Sequence, residues 1–293
     1  MSKRNLNKVQ KSAVESFGKP VLIFAGAGSG KTRVVTHKIA HLIDKDLVSA
    51  QNILAVTFTN KAAQEMRERV SKLLKNKNTS VNLGTFHSIC ARILRKEIHH
   101  LGYTADFSIF DVKDQVTLVK VVLEAMDIPK NYVTPQEVRH KISYFKNKLI
   151  HPDEAQSKAH LVIEKTYAEI YKNYQKALFE NNAVDFDDLL ILPLQLFEKN
   201  PKVLEKYRED WQYILVDEYQ DTNKPQFMLI KYLAGSHKQV CVVGDDDQSI
   251  YGWRGADIRN ILDFEKTFGN CEVFKLEKNY RSSGHILEAA SSV

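Results

Sequence analysis

Cysteine is scarce in this chain, with only Cys90, Cys241 and Cys271 among its 293 residues. The three lie far apart and form no Cys-x-x-Cys pair, which argues against a zinc site of the usual spacing and against a disulfide framework. Residues 1–6 lack an apolar signal region, and no apolar run approaches the length that spans a bilayer. We therefore expect a protein of a reducing compartment, the cytoplasm, with no membrane partner.

Neither sign of charge is in large excess, since 42 Lys and Arg residues face 36 Asp and Glu residues. The net charge of +6 and the pI near 9.0 suit a polyanionic partner, but many cytosolic proteins are equally basic. The apolar fraction of 43% supports a sizeable core, and the length favours two domains over one. Internal repeats and low-complexity segments are absent from the sequence.

The most informative stretch is AGAGSGKT at residues 25–32, directly after the apolar run 21–24. A buried strand, a glycine-rich turn and a helix opened by Lys31 and Thr32 are typical of a site that binds a nucleotide triphosphate. Backbone N–H groups would face the phosphates, Lys31 would reach the β- and γ-phosphates, and the Thr32 hydroxyl can ligate Mg²⁺. Ala25 replaces the first glycine of the strict pattern, so a plain surface turn is the alternative for the motif taken alone. Helical apolar spacing after Thr32 favours the phosphate loop.

Strand and helix patterns alternate at both ends of the chain, which predicts a parallel sheet. The predicted strands are 21–25, 53–58, 81–85, 213–216, 240–243 and 273–276, and the predicted helices of the first part are 8–17, 31–43 and 61–74. Between residues 88 and 185 strand patterns nearly vanish, and helices are predicted at 89–100, 113–126, 135–145 and 152–181. The α/β core is therefore expected to be interrupted by an inserted helical domain. The chain stops inside an apparent helix, so we expect it to be the N-terminal part of a longer protein.

Basic side chains fall along the predicted helices of the insertion. A solvated helix face and a nucleic-acid surface explain this pattern equally well. The residues are Lys141, Lys146, Lys148, Lys158, Lys165, Lys172 and Lys176.

Two carboxylates end the apolar strand pattern at residues 213–216. Asp217 fits an acid that holds Mg²⁺ through water, on a strand beside the phosphate loop, and Glu218 fits a general base that polarises the attacking water. Two solvated acids at a strand end are the alternative. The long separation from Lys31 is explained by the helical insertion.

A glycine-containing loop follows the next predicted strand. Gln248, at a strand end, could sense the γ-phosphate. Tyr251 and Trp253, followed by Arg254, suit a platform on which bases of a single strand stack, although packing of the loop onto the core is the simpler interpretation.

Eight segments together closely resemble the UvrD/Rep group of superfamily 1 DNA helicases, and the wording DDDQSIY and NYRSSG is most similar to the Rep branch. The segments cover the chain in the order of that family, which itself carries alanine at the position of Ala25. They are residues 6–10, 25–32, 57–63, 84–88, 184–189, 216–222, 244–256 and 276–282.

The resemblance implies an α/β fold of the P-loop NTPase (RecA-like) class, with an inserted all-helical domain. It implies a first motor domain at 1–88 and 187–276, the insertion at 89–186, and the start of a second motor domain at 277–293. Such enzymes hydrolyse ATP with Mg²⁺ to move 3′→5′ along single-stranded DNA and to separate 3′-tailed or forked duplex, in DNA replication and repair. Self-association on DNA and unspecified replication or repair proteins are further expected partners.

The resemblance also implies roles for single residues. Gln10 would recognise the adenine, Tyr280 would stack on it, Arg281 would be an arginine finger, and Gln248 would couple the γ-phosphate to DNA. The phosphates would be held by Ala25, Gly26, Ala27, Gly28, Ser29, Gly30, Lys31, Thr32 and Arg33, with Thr32 and Asp217 at Mg²⁺ and Glu218 activating water. DNA would contact Thr57, Phe58, Asn60, Thr85, His87, Phe186, Tyr251, Trp253 and Arg254. For His87, Gln10 and Phe186, ordinary structural roles in a loop, on a solvated helix and in the core are the alternatives.

Three other functions stay open. A helicase–nuclease subunit is built on the same motor, and its nuclease residues would lie beyond Val293. A P-loop kinase or GTPase is disfavoured because Ala63 stands where a guanine-reading Asn-Lys-x-Asp would have its Asp. A DNA-binding protein with a relic site is disfavoured because the set of Lys31, Thr32, Asp217, Glu218, Gln248 and Arg281 is intact.

Overall fold

The computed structural model describes residues 6–75, 80–129, 131–235, 237 and 239–291. The chain divides into two compact units. Unit 1 contains residues up to Phe86, then Leu204–Thr222 and the chain from Ile230 onward. Unit 2 contains His87–Val203 and Asn223–Leu229. Residues 187–203, which the resemblance assigned to the first motor domain, fall in unit 2.

Six parallel strands form the sheet of unit 1, in the order β3-β2-β6-β7-β1-β8. Strand β1 has β7 on one side, where Val21 pairs with Cys241, and β8 on the other, where Val21 pairs with Glu272. The strands, in chain order, are β1 (Val21–Ala25), β2 (Ile53–Thr57), β3 (Asn82–Thr85), β4 (Ser108–Phe110), β5 (Ala183–Asp185), β6 (Tyr213–Val216), β7 (Val240–Gly244) and β8 (Glu272–Leu276). The predicted α/β fold with a parallel sheet is confirmed.

Helices connect the strands of unit 1 and build most of unit 2. Those before β5 are α1 (Lys8–Glu15), α2 (Lys31–Asp44), α3 (Asn60–Leu73), α4 (Phe86–Glu97), α5 (Val112–Ala125), α6 (Pro135–Asn147), α7 (Pro152–Lys158) and α8 (Val162–Glu180). Those after β5 are α9 (Phe186–Lys199), α10 (Pro201–Asp210), α11 (Lys224–Ala234), α12 (Arg259–Leu262), α13 (Phe264–Phe268) and α14 (Gly284–Ser291).

Capping residues set several helix starts. Thr59 accepts a hydrogen bond from the Ala62 N–H at the start of α3. Thr134 and Glu137 form a reciprocal capping box before α6, which has Pro135 in its first turn.

No helix in the described part of the chain is long and apolar enough to cross a membrane.

Unit 2 departs from the sequence analysis at two places. The single helix predicted at 152–181 is two helices, α7 and α8, because the Glu164 carboxylate accepts the N–H groups of His160 and Leu161 and starts a new helix there. The segment where strand patterns nearly vanish contains β4 and β5, which pair in parallel from Ser108 with Ala183 to Phe110 with Asp185. Three-residue strands are too short for an alternating pattern to mark them.

Each unit has its own apolar core. In unit 1, buried side chains of β1, β2, β6 and β7 pack with those of α1, α2 and α3. In unit 2, one cluster joins α5, α6 and α8, and a second joins α4, α9 and β5. The unit 1 core holds the carboxyl ends of the central parallel strands at one edge, which is where α/β proteins place ligands.

Candidate functional site

The turn between β1 and α2 has the shape of a phosphate loop. Gly28 and Gly30 have φ of +71° and +93°, which residues with a side chain rarely adopt. Ser29 is buried, and both its backbone N–H and its hydroxyl donate to the Gly26 carbonyl, at 3.1 and 2.7 Å. The turn delivers the chain directly into α2, whose N-terminal N–H groups and dipole favour an anion.

Lys31 lies in the first turn of α2, and its ammonium group is buried. Its ammonium is 3.2 Å from the Glu218 carboxylate and 3.8 Å from that of Asp245, yet it makes no hydrogen bond of good geometry. Only 10% of its side chain is exposed. A buried cation with unused donors at a helix N-terminus fits a phosphate group as its partner.

Two acids follow β6. The Asp217 carboxyl is buried, and burial, followed by the nearby charge of Glu218, raises its pKa to about 7. The Glu218 N–H donates to Asp217 Oδ1 at 3.1 Å, and Glu218 itself has φ of +52°, a strained value for a residue that is not glycine. The acids were predicted to follow a strand directly beside the phosphate-loop strand β1. That prediction is wrong, because they follow β6 and β7 lies between β1 and β6.

The end of β7 therefore lies next to the phosphate loop. Two residues with no role assigned from the sequence join the site here, Asp245 after β7 and Gln220 after β6. Asp245 follows β7 and accepts a hydrogen bond from Gln248 Nε2. Gln220 is buried, donates to Glu218 Oε2 at 3.1 Å and accepts the Asp245 N–H at 3.0 Å. This network joins the Glu218 segment to the Gln248 segment. Only the strand order, which a sequence does not state, could have identified Asp245.

Space at the end of β7 is also limited. A Cβ atom at Gly244 would lie 2.7 Å from Gln220 Oε1 and 2.7 Å from Ile261 Cδ1. The lack of a side chain at Gly244 leaves room for the close approach of the Gln220 side chain.

The short helix α1 attaches to the phosphate loop through Gln10. Asn7 and Gln10 form a capping box, and Gln10 Nε2 donates to the Ser29 carbonyl at 2.9 Å. Gln10 is 1% exposed, so the alternative of a solvated helix residue is wrong.

At the other end of α1, the buried Lys38 ammonium donates to the carbonyls of Ala13 and Ser16 at 2.9 and 2.7 Å.

The segment after β8 also lies against the phosphate loop. Asn279 Nδ2 donates to the Ala27 carbonyl at 2.5 Å, and the Tyr280 N–H donates to the Gly28 carbonyl at 2.9 Å. A Cβ atom at Gly28 would be 2.6 Å from the Cβ of Arg281, so glycine is needed here for space as well as for φ. The Tyr280 side chain is half exposed, and its hydroxyl accepts from Asn7 Nδ2 at 2.9 Å.

The described residues contain no group of three or more His, Cys, Asp or Glu side chains that could hold a metal by themselves. In nucleotide sites Mg²⁺ usually takes one or two protein ligands and completes its shell with phosphate and water. Thr32, in the first turn of α2, and Asp217, at the end of β6, offer a hydroxyl and a carboxylate. The donor set therefore fits Mg²⁺.

The predicted DNA contacts of unit 1 differ in exposure. Thr57 is buried, and Phe58 is half-buried with its ring against that of Phe86, at 5.6 Å between centroids. Asn60 is exposed in the first turn of α3, and Thr85 is half-buried at the end of β3.

Tyr251 and Trp253 are exposed, at 38% and 75%, with their ring centroids 6.4 Å apart. The simpler interpretation, in which both rings pack onto the core, is wrong. Arg254 lies in the same short 3-10 helix as Trp253.

Unit 2 holds the other two predicted contacts. Phe186 is 50% exposed, so the alternative of a core residue is wrong. Its ring is 5.8 Å from that of His87, whose pKa burial lowers. The two rings therefore lie side by side, with that of Phe186 half exposed.

The basic residues of the insertion do not form one class. Lys146 is buried and binds the carboxylates of Asp185 and Asp188, so neither explanation offered for these lysines applies to it. Lys158 and Lys172 are exposed and pair with surface acids.

A comparison with protein families matches residues 6–269 to the UvrD/REP helicase N-terminal domain. Among similar curated proteins, an ATP-dependent DNA helicase PcrA of Staphylococcus epidermidis is 49% identical over 290 residues, which is 99% of this chain and 40% of that protein. The PcrA of Bacillus subtilis strain 168 is 48% identical over 288 residues, 98% of this chain and 39% of its own length. The PcrA of Staphylococcus aureus strain Mu50 is 50% identical over 289 residues, with shares of 99% and 40%. The chain spans about two fifths of the length of these relatives.

Proposed function

The chain belongs to the UvrD/REP helicase family, and from that premise we propose that it is the ATP-binding N-terminal portion of an ATP-dependent 3′–5′ DNA helicase. The complete protein would use ATP hydrolysis to move along single-stranded DNA and to unwind 3′-tailed or forked duplex in replication and repair. The observation that carries this proposal is the buried, incompletely bonded Lys31 ammonium between the phosphate loop and two carboxylates. Relatives named as ATP-dependent DNA helicases support the choice of nucleotide and polymer.

In the proposed reaction each residue has one task. Lys31 and the loop N–H groups neutralise and orient the triphosphate, and Thr32 with Asp217 would hold Mg²⁺, which supplies further charge neutralisation. Glu218 accepts a proton from the attacking water, and its link to Gln220 at 3.1 Å holds it in position. Arg281 would complete the site when the segment that carries it closes on the γ-phosphate.

The proposal extends to the DNA. Phe58, Phe186, Tyr251 and Trp253 would stack on bases, which suits a motor because stacking tolerates every sequence. Thr57, Asn60, Thr85, His87 and Arg254 would contact the strand. Thr57 is the weakest member of this set, because it is buried in unit 1.

The remaining expectations about the whole protein are proposals on the same basis. They are a start of the second motor domain at 277–293, membership of the Rep branch, self-association on DNA, and a cytoplasmic location. The relatives on which these expectations depend are longer than this chain.

The test is ATP turnover by the full-length protein that carries this sequence, with and without single-stranded DNA. We expect strong stimulation by DNA, which Glu218→Gln abolishes while ATP binding persists, since the amide cannot accept the proton. Glu209→Gln, at an exposed acid of the same unit, is the matched control and should behave as the parent. Turnover that is indifferent to DNA, or GTP outcompeting ATP, would contradict the proposal. Unwinding of 3′- but not 5′-tailed duplex tests the direction.

A further inference from the structure

The start of helix α9 is held by a buried charged cluster. Asp185 and Asp188 cap α9 reciprocally, with the Asp188 N–H donating to Asp185 Oδ1 at 2.9 Å. The Lys146 ammonium, with a fully buried side chain, binds Asp185 Oδ2 at 2.6 Å and Asp188 Oδ1 at 2.8 Å. The Tyr174 hydroxyl adds a hydrogen bond to Asp185 Oδ2 at 3.1 Å. One lysine therefore fixes both members of the capping box.

Asn147, the next residue of α6, binds Asp187, which lies between Asp185 and Asp188 in the chain. Asn147 Nδ2 donates to Asp187 Oδ1 at 3.0 Å and to the Ser143 carbonyl at 2.9 Å. Asn147 Oδ1 accepts from Asn223 Nδ2 at 2.8 Å. Both ends of the Asn147 amide are thus used, which fixes its orientation.

These bonds hold the residues on both sides of Phe186, whose ring is exposed. Residues 185, 187 and 188 are each tied to α6, and Phe186, the only other residue of this stretch, has a half-exposed side chain facing His87. Ion pairs and hydrogen bonds on either side of an exposed aromatic residue hold its backbone in place without covering its ring.

We infer that Asn147 and Lys146 are positioning residues, which hold the first turn of α9 so that the Phe186 ring is presented beside His87 for stacking on a base of single-stranded nucleic acid. The inference rests on the proposed function for the identity of the ligand. The positioning itself rests on the hydrogen bonds and the burial within unit 2.

Asn147 is the better residue to change. Removing Lys146 would leave two buried carboxylates without their cation, and such a variant can fail to fold. Asn147→Leu keeps the size of the side chain and removes only its hydrogen bonds. Asn173→Leu is the matched control, because Asn173 Nδ2 also donates to a carbonyl four residues earlier, at 3.0 Å, but on α8.

The first measurement needs no DNA. 4-Fluorophenylalanine placed at position 186 of the full-length protein gives one ¹⁹F resonance that reports the surroundings of the ring. We expect Asn147→Leu to shift or broaden it, and Asn173→Leu to leave it as in the parent. An unchanged resonance in Asn147→Leu overturns the inference while leaving the proposed function intact.

The second measurement is the affinity for a fluorescent oligo(dT) in the same variants. Phe186→Ala should bind about tenfold more weakly, as expected for one stacked base, and Asn147→Leu about threefold more weakly. The double variant should bind no more weakly than Phe186→Ala alone, because Asn147 acts through that ring. Losses that multiply in the double variant overturn the inference. If Phe186→Ala binds as tightly as the parent, the DNA contact in the proposed function is wrong, and the shifted resonance then records positioning for another purpose.

Discussion

At the scale of single residues, Lys31 has the arrangement that best supports the proposed triphosphate site. Its ammonium is buried beside Glu218 and Asp245 without a hydrogen bond of good geometry. Such an arrangement costs free energy in the free protein, because a desolvated charge is only partly compensated. A bound triphosphate would supply the missing acceptors, so part of the affinity for the ligand is prepared in the fold.

The glycines of the phosphate loop give a prediction at this scale. Gly28→Ala should lower the free energy of unfolding by about 2–4 kcal/mol, since it combines a left-handed φ with a Cβ atom 2.6 Å from that of Arg281. Gly18→Ala is the control: φ there is +85° but nothing lies within 4 Å, so only the backbone cost of about 1 kcal/mol applies. Urea denaturation of both variants checks this. Equal losses would mean that the contact with Arg281 does not matter.

Some of these residues could be predicted from sequence and others could not. Lys31 and Thr32 follow from local spacing, because a phosphate loop is continuous in the chain. Asp245 was not assigned, because its importance comes from β7 lying beside β1, and pairing between distant strands is not written in either strand. Lys146 was grouped with surface lysines, because a basic residue on an amphipathic helix is buried only if acids from elsewhere reach it.

At the scale of elements, the junction of α6 with α9 is a buried polar contact of unit 2. It combines the buried Lys146 ion pairs with the Asn147 hydrogen bond to Asp187. Burial, followed by the nearby charge of Asp185, raises the pKa of Asp188 to about 7. The Lys146 charge opposes this rise, so removing it should raise the pKa of Asp188 further.

Lys146→Met gives a prediction for this element. The variant should lose about 3–5 kcal/mol of unfolding free energy at pH 7.5, because two buried acids lose their partner. Lys172→Met is the matched control: its ion pair with Asp153 is exposed, with side-chain exposures of 69% and 90%, and the change should stay within about 0.5 kcal/mol. Thermal or urea unfolding of both variants provides the measurement. A loss below about 1 kcal/mol in Lys146→Met would contradict the proposed stabilisation.

The prediction of elements succeeded where apolar patterns are long. Strands β1 and β6 were predicted with their observed bounds, since buried central strands read as short apolar runs. The break between α7 and α8 was missed because no Gly or Pro marks it. It depends on the Glu164 side chain reaching back to two N–H groups, a contact that propensities do not report.

At the scale of the whole molecule, the length of the chain sets a prediction about its activity. The 293-residue chain alone should bind ATP weakly and turn it over at least about tenfold more slowly than the full-length protein, because the resemblance implies a second motor domain of which residues 277–293 are only the start, and the site would close only against that domain. The chain spans about two fifths of the length of its relatives. Turnover of the chain near that of the full-length protein would refute this.

The strand order determines when each strand can pair while the chain is being synthesised. Strand β2 can pair with β3 soon after residue 85 emerges, but the neighbours of β1 are β7 and β8. Strand β1, though synthesised among the first, has no partner in the sheet until residue 240 and beyond are made. All of the helical unit is translated during that wait, and at ordinary rates of synthesis the delay is on the order of ten seconds or more. The apolar strand Val21–Ala25 therefore stays without its sheet partners until late in translation, and this leaves the nascent chain open to aggregation at that strand.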